Sequence, residues 1–555
     1  MKSWYRHGMA FTGVLLVLGM VLAGCGSGSG GGNGSGATSM TVAPSPVGTW
    51  TQNDNPYSPN VNYDVQGLIY ETLLYINPFT GKVSPWLADT YNYSSDGLTL
   101  TFHLHPGVKW SDGQAFTSSD VVFTFNMLKQ YPAIDGNGIW QTLSAITNPD
   151  DSTVVMTLNK VDATFLYHAA DQTWIVPQHI WSTLDPTKTT NTNPVGTGPY
   201  MLKSFTPSLY IFDKNPTSWQ AANAHVSEIR FPAFGSNASA DLVLASGQLD
   251  WAGVFATDMQ KVFVQPDPQH HFIFSPPNNT VTLFLNLSLP IFKSLAVRQA
   301  ISVAIDRSAI STQAEEGLEQ IASPTGMVLP SFKQYLDPSL ANASYGPADA
   351  SKADQILEAA GFKKGSDGIY ADASGNKLSF KLEVPEGWSD WDAGCQIISN
   401  DLKQAGIDAE VDQVDFNSVY LPDVNKGTYQ AVMHWTNGGP TPYYQYNALL
   451  NSQFTAAAGQ SSPSNIEGWN DPATDAALAE YANSIDPNVQ QDALNKIQNI
   501  MVNQLPVISL VEGADWNEYS TKNWVGWPTQ SNLYAGPAPF NYPDNEQVIL
   551  HLTQA

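Results

Sequence analysis

The chain has 555 residues, of which 42% are hydrophobic and 13% are charged, and its formal net charge at pH 7 is -26. The length predicts roughly three to four domain-sized units. The hydrophobic share argues against a disordered chain. The acidic balance argues against a nucleic-acid binder and against a protein held on anionic lipid by basic patches. Charged residues are about half as frequent as the roughly 25% of ordinary proteins, so neutral polar residues must cover much of the surface. Such a surface is common outside the cell, and an acidic habitat would also fit.

The first part of the chain has the pattern of an export signal. Lys2 and Arg6 precede an apolar run at 9–23, which is shorter than the roughly 20 residues that cross a bilayer. The run ends in the sequence LAGC, and small residues before a cleavage point are typical of a secretory signal. Its cysteine, Cys25, resembles the lipobox cysteine of bacterial lipoproteins, which receives a diacylglycerol; the alternative is an ordinary signal with a chance cysteine. We predict a signal peptide at 1–24 and lipidation of Cys25.

A Gly/Ser-rich segment separates this signal from the folded body. Residues 26–39 read GSGSGGGNGSGATS, a composition that behaves as a flexible coil. With Cys25 it predicts a lipidated tether at 25–40. The other cysteine of the chain is Cys395, which we expect as a lone thiol in a helix, since lipidation of Cys25 leaves no partner for a disulfide.

The body alternates short strands and amphipathic helices, which predicts a mixed α/β protein. Alternating or apolar runs predict strands at 98–104 and 281–287. Capped or periodic runs predict helices, at 118–129, 295–305, 390–405 (ended by Gly406), 476–482 and 490–502.

Short motifs occur along the chain in a fixed order. They are GLIYETL at 67–73, GVKWSDG at 107–113, FTSSDV at 116–121, GTGPY at 196–200, and VRQAI at 297–301 followed by AIDR at 304–307. Together they resemble the family 5 extracellular solute-binding proteins of ABC importers, known for binding oligopeptides, dipeptides, nickel complexes and oligosaccharides. Each motif also has a structural explanation as a turn, cap or strand end, so none of these residues is assigned to the ligand.

The resemblance implies an α/β, bilobal periplasmic-binding-protein-like fold of type II, with an extra third domain and the ligand between the lobes. Carried over, lobe I comprises 41–85, 195–285 and 515–555, the extra domain 86–194, and lobe II 286–514. It also implies a monomeric binding protein and not an enzyme, without cofactor or metal. Such a protein would sit at the extracytoplasmic face of the bacterial cell membrane, held there by its lipid anchor, and would dock on ABC permease transmembrane subunits.

The ligand class is predicted from what a lobe II loop lacks. Family members that bind short peptides often use an Asp in this loop to hold the peptide's amino terminus, but the stretch at 435–443 contains no acid. Three segments instead resemble the cello-oligosaccharide binders of the family. They are GWSDW at 387–391, GGPTPY at 438–443, and DWNEY at 515–519 with WVGWPT at 524–529.

Sugar chemistry agrees with these segments, because pyranose C–H faces stack on flat rings and sugar hydroxyls bond neutral amides and hydroxyls. The predicted ligand-binding residues are Trp50, Asn53, Trp251, Trp388, His434, Trp435, Asn437, Tyr443, Trp516 and Trp527. The alternative role for each Trp is core packing or contact between the lobes, and for His434 a hydrogen bond within a strand.

Three functions remain open at this point. The first is an oligosaccharide receptor, the second an oligopeptide receptor that recognises peptide main chain, and the third a secreted hydrolase or a sensor without a transporter. The sequence contains no Gly-x-Ser-x-Gly and no His-Glu-x-x-His motif. His103 and His105 share a strand face, but no third metal ligand lies near them in the sequence.

Overall fold

The computed structural model describes residues 38–329, 331–456, 459–462 and 464–555. The predicted signal peptide, Cys25 and most of the tether lie outside these residues. Residues 37–555 form one compact unit. None of the helices in the described ranges is both long and apolar enough to cross a bilayer.

A seven-stranded sheet forms the first lobe. In spatial order its strands are His271–Ile273, Glu518–Ser520, Trp251–Ala252, Ser39–Ala43, Glu228–Pro232, Leu209–Lys214 and Tyr200–Thr206. The central strand, Ser39–Ala43, runs parallel to both neighbours. The helices Asn237–Ala245 and Asp544–His551 belong to the same lobe. The C-terminal part of the chain is thus built into the first lobe.

A five-stranded sheet forms the second lobe. In spatial order its strands are Asp408–Val414, Ser379–Pro385, Ala431–Trp435, Pro277–Leu285 and Ile508–Ala514. The longer helices around it are Leu295–Ala304, Ala350–Ala359, Ser389–Gln404, Pro442–Leu450, Pro472–Ala482 and Pro487–Gln504. The predicted boundary placed residues 277–285 in lobe I. This placement was wrong, because the strand Pro277–Leu285 pairs with two strands of the second sheet.

A four-stranded sheet with its own hydrophobic core lies within the range predicted as an extra domain. In spatial order its strands are Ala88–Tyr93, Thr99–Leu104, Thr153–Leu158 and Leu143–Asp150. The helix Ser118–Gln130 packs on it, and Thr117 and Asp120 form a capping box that stabilises its start. Phe102, Trp110 and Phe125 are fully buried in this core.

The predicted helices and strands of the body are confirmed with ends shifted by a few residues. The helix predicted at 390–405 is Ser389–Gln404, and Gly406 follows it in the left-handed region with φ +70°, where glycine costs least. Cys395 is buried in this helix with its Sγ 3.6 Å from Met433 Sδ, as expected of a packed thiol.

Two buried arginines of the motifs at 297–307 hold backbone carbonyl groups of the second lobe. The Arg298 guanidinium donates hydrogen bonds to four carbonyl oxygens, those of Phe292, Lys293, Gln504 and Leu505. Arg307 donates to the carbonyl oxygens of Ser302 and Ser509 and lies over the Tyr345 ring at 3.5 Å. These motif residues are structural, which agrees with leaving them out of the predicted site.

Candidate functional site

Two short segments carry the chain between the lobes. Residues 274–276 join the strand that ends at Ile273 to the second sheet, and residues 515–517 return to the first. The segments are hydrogen-bonded to each other: Phe274 N donates to Asn517 O at 3.1 Å and Asp515 N donates to Pro276 O at 2.9 Å. A paired crossover of this kind is where a hinge between lobes would lie.

The fully buried side chain of Asn517 connects the two segments. Its Nδ2 donates to Phe274 O at 3.1 Å, and its Oδ1 accepts from Trp251 Nε1 at 2.9 Å. We expect Asn517→Ala to lower the free energy of unfolding by about 2 kcal/mol, since a buried carbonyl loses a donor. Urea denaturation measures this. Asn400→Ala, at an exposed helical position, is the control, and an equal effect of both changes would contradict the role of Asn517.

A cavity of about 660 Å³ lies beside the crossover, between the lobes. This volume is within the range of ligand sites, roughly 300–1,000 Å³. Three parts of the protein form its walls. Asn541 lines it from the first lobe, Trp174 from the region of the four-stranded sheet, and Trp435 from the second lobe. A ligand here would touch all three parts of the protein.

Aromatic rings cover much of the second-lobe wall. Trp388 and Trp435 lie nearly parallel, with ring centroids 6.4 Å apart and an interplanar angle of 23°, and Trp391 packs 5.1 Å from Trp388. From the crossover, Trp516 packs edge-on against Phe255 at 5.6 Å. Of these rings Trp388, Trp435 and Trp516 are partly exposed, and they offer flat stacking surfaces to a ligand.

The polar groups of the cavity are mainly neutral amides and hydroxyls. The amides that line it are Asn137, Gln66, Gln172, Asn237, Asn278, Asn279, Asn437, Asn447 and Asn541. Among the described lining residues none is Lys or Arg, and four are acids: Asp135, Glu319, Asp390 and Asp544.

Burial raises the pKa of each of these four acids. It raises the pKa of Glu319 to about 8, although Glu319 Oε1 accepts a hydrogen bond from Ala514 N at 2.6 Å. It raises the pKa of Asp390 to about 6, and burial also raises the pKa of Asp135 and of Asp544. The cavity therefore carries less negative charge than its four acids would suggest.

Four of the predicted site residues line this cavity: Trp388, Trp435, Asn437 and Trp516. Trp435 is the last residue of the strand Ala431–Trp435, and Asn437 follows it. Trp388 lies just after the neighbouring strand Ser379–Pro385, and Trp516 comes from the crossover. The structure thus brings together the three segments in which the sequence showed a sugar-binder pattern.

The other predicted residues do not line the cavity, and the reason in each case is a contact inside the protein. The indole N–H of Trp50 donates to Phe231 O, that of Trp251 to Asn517 Oδ1 and Pro537 O, and that of Trp527 to Trp524 O. All three side chains are buried in the core of the first lobe.

The same correction applies to the remaining three. Asn53 Nδ2 donates to Ser58 Oγ and Asn60 O within its own loop. His434 Nδ1 is hydrogen-bonded to the Tyr420 hydroxyl at 2.8 Å, and burial lowers its pKa to about 3. Tyr443 stacks on Tyr481, with centroids 4.5 Å apart, and its neighbour Tyr444 lines the cavity instead.

Several lining residues were not predicted. Trp174, Tyr542 and Asn237 carry no local sequence signal, because each reaches the cavity only through the packing of distant segments. Trp391 was within reach of sequence reasoning, since it belongs to the GWSDW segment that supplied Trp388.

Hydrogen bonds join the lobes around the cavity. Trp388 Nε1 donates to Pro46 O at 3.0 Å, and Asn237 Nδ2 donates to Asp390 Oδ1 at 3.0 Å. Asp258 N donates to a Glu316 carboxylate oxygen at 2.7 Å. The lobes are therefore in direct contact at several points around the cavity, as expected of a closed conformation.

Two lobes, a paired crossover and a cavity between the lobes define the class of bilobal solute-binding proteins. Residues 82–457 match the sequence profile of the bacterial extracellular solute-binding proteins, family 5 (middle). The chain belongs to this family, which consists of solute-binding components of ABC importers.

Known proteins similar to this chain include both peptide-named and sugar-bound examples. Protein XP55 of Streptomyces lividans is 28% identical over 469 residues, covering 83% of this chain and 81% of the relative. The oligopeptide-binding protein AppA of Bacillus subtilis is 26% identical over 383 residues, covering 67% and 69%. A crystal structure of a periplasmic oligopeptide-binding protein from Thermotoga maritima with mannohexaose bound has a TM-score of 0.86 and 26% identity, covering 93% of this chain and 98% of the other.

Proposed function

We propose that this protein captures a neutral oligosaccharide between its lobes and delivers it to the permease of an ABC importer. The observation that carries the proposal is the cavity wall: the near-parallel Trp388 and Trp435 stand among neutral amides, with no Lys or Arg among the described lining residues. The mannohexaose bound to a relative with a TM-score of 0.86 supports it.

An oligopeptide is the alternative ligand, since relatives such as AppA are named for peptides. A peptide brings a terminal carboxylate, and burying it without a cationic partner is costly. The described lining residues offer that carboxylate no Lys or Arg. A peptide would therefore have to be held through its main chain by the amides.

The proposed mechanism is closure about the crossover at 274–276 and 515–517. Sugar rings would stack on Trp388 and Trp435 of the second lobe, while hydroxyls bond to amides such as Asn541 of the first. A ligand that touches both lobes favours the closed population over the open one. With micromolar affinity this binding is worth about -8 kcal/mol.

The closed protein, a monomer lipidated at Cys25 on the extracytoplasmic face of the membrane, would then dock on the permease.

A thermal-shift screen of residues 37–555 tests the ligand class. We expect β- or α-linked oligosaccharides to raise the melting temperature, because ligand at 100 times its dissociation constant stabilises by about 2.7 kcal/mol. Di- to pentapeptides are the comparison panel. A shift with peptides alone would replace the sugar proposal by the peptide alternative, and hydrolysis of an added oligosaccharide would indicate an enzyme.

A further inference from the structure

Among the residues that the structure describes, several buried carboxyl groups are paired with neutral amides and none is in an ion pair. Every acid in the ion pairs of the described residues keeps at least 16% of its side chain exposed. The buried acids instead accept hydrogen bonds from Asn Nδ2 groups. These pairs are Asp54 with Asn62, Asp64 with Asn545, Asp250 with Asn523, Asp390 with Asn237, and Asp515 with Asn541.

Other buried carboxyl oxygens have no hydrogen-bond partner among the described residues. Both oxygens of Glu315 and of Glu467 are of this kind, as is one oxygen of Glu518, and all three side chains are fully buried. Glu71 and Glu546, also fully buried, lie close enough to repel each other when ionised. An ionised carboxylate in such a place costs several kcal/mol, so the group keeps its proton instead.

The same arrangement reaches the ligand cavity. Glu319 lines it with Oε2 unpartnered and only 2% of the residue exposed, and Asp390 lines the same cavity. Glu315 is close enough to repel both when they are charged. The further charged groups that act on this pair are also acids: Asp241 from the first-lobe helix, Asp392 from the helix that carries Asp390, and Glu512 from the last second-lobe strand.

We propose that this binding protein works in an acidic medium, and that Glu319 and Asp390 face the ligand as neutral carboxyl groups that donate hydrogen bonds. A protonated carboxyl both donates and accepts, as a sugar hydroxyl does, whereas the ionised form only accepts. The part about the ligand rests on the proposed oligosaccharide function, and the part about the fold does not. The low share of charged residues agrees with both.

The direction of the pH effect follows from burial. Burial raises the pKa of Asp54 to about 6, of Glu512 and Asp515 to about 7, and of Asp64 to about 8, whereas in the unfolded chain these groups titrate near pH 4. Between those values the unfolded chain releases protons that the folded chain keeps. The stability that these protonated groups give the folded state is therefore complete below about pH 4 and is lost as the pH rises to about 8. Each group lowers the folding equilibrium constant by up to tenfold for each pH unit in this range.

Urea denaturation of residues 37–555 from pH 4 to pH 8 tests the fold. We expect the midpoint to fall steadily as the pH rises. Glu319→Gln keeps the acceptor for Ala514 N in a permanently neutral form, so its folding constant should lose up to about tenfold less per pH unit than that of the wild type. Glu410→Gln, at an exposed strand position, should follow the wild type. A midpoint that is constant or rises towards pH 8 would overturn the inference.

Ligand titrations at pH 4.5 and pH 7.5 test the cavity. A neutral sugar identified in the screen should bind the wild type at least tenfold more weakly at the higher pH, because burial raises the pKa of Asp390 only to about 6 and Asp390 is ionised at pH 7.5. Asp390→Asn should lose much less. An amine-bearing oligosaccharide that binds equally tightly at both pH values would show that the carboxylates are already ionised at pH 4.5 and would overturn the assignment. If no sugar binds at either pH, the oligosaccharide proposal fails. The denaturation series still decides whether the folded protein is more stable in acid than near pH 8.

Discussion

Replacing Trp435 by alanine is expected to weaken binding of the captured ligand about 10- to 100-fold, which corresponds to about 1.4 to 2.8 kcal/mol. Trp435 lies at the cavity with part of its ring exposed and nearly parallel to Trp388. Its removal takes away one face of the aromatic wall and the apolar area that a sugar ring would bury on it. Isothermal titration with the ligand found in the screen measures the change.

Trp469→Ala is the matched control for this experiment. Trp469 is a second-lobe Trp of similar, intermediate burial, but it does not line the cavity and its indole N–H donates to Thr474 Oγ1 at 3.1 Å. We expect its loss to lower stability and leave affinity unchanged, and Trp435→Phe to retain most of the affinity. Unchanged affinity in Trp435→Ala would remove this residue from the site.

Arg298→Ala is expected to lower the free energy of unfolding by about 3 kcal/mol. Arg298 is 5% exposed, and its guanidinium donates to two separate stretches of backbone, the turn at 292–293 and the helix end at 504–505. Without it, several buried carbonyl oxygens lose their donors, and each such loss costs about 1 kcal/mol or more. Chemical denaturation measures the effect.

Lysine cannot replace this arginine, because one ammonium group does not reach carbonyls on both sides as the planar guanidinium does. We therefore expect Arg298→Lys to recover less than half of the loss. Arg230→Ala is the control, since Arg230 is 49% exposed and pairs with Glu228 on the surface, where ion pairs contribute little. If both alanine variants unfold at the same urea concentration, the bridging role of Arg298 is wrong.

The fold could be predicted in large part because local patterns and ordered motifs agree. The polar start of the helix predicted at 118–129 and the glycine at Gly406 marked helix ends that the structure confirms to within about a residue. The boundary between the lobes was less accurate, since the predicted start of lobe II at 286 and the motif at 297–307 both follow the first second-lobe strand. Strand Pro277–Leu285 belongs to the second lobe, but a boundary drawn from the motif alone places it in the first.

The site was predictable only where a segment resembles the sugar binders of the family. The GWSDW segment and the stretch at 435–443 led to Trp388, Trp435 and Asn437, which line the cavity. Trp251 and Trp527 lie in sequence segments of similar composition, but their ring centroids are 5.6 Å apart in the core of the first lobe. A sequence shows that an indole is present and not which way it faces, and Trp174 or Asn237 meet the cavity only through long-range packing.

The insertion of the second lobe into the first also sets an order of assembly. Strand Glu518–Ser520 lies between His271–Ile273 and Trp251–Ala252, but it is synthesised after the whole of the second lobe. The second-lobe sheet needs only residues 277–514, so it can be complete while the first-lobe sheet still has an open gap. Until strand Glu518–Ser520 forms, the folding chain therefore carries unpaired strand edges in its first lobe, and such edges are sites of aggregation. Residues 518–520 close that gap, so this late segment governs how safely the protein completes its folding.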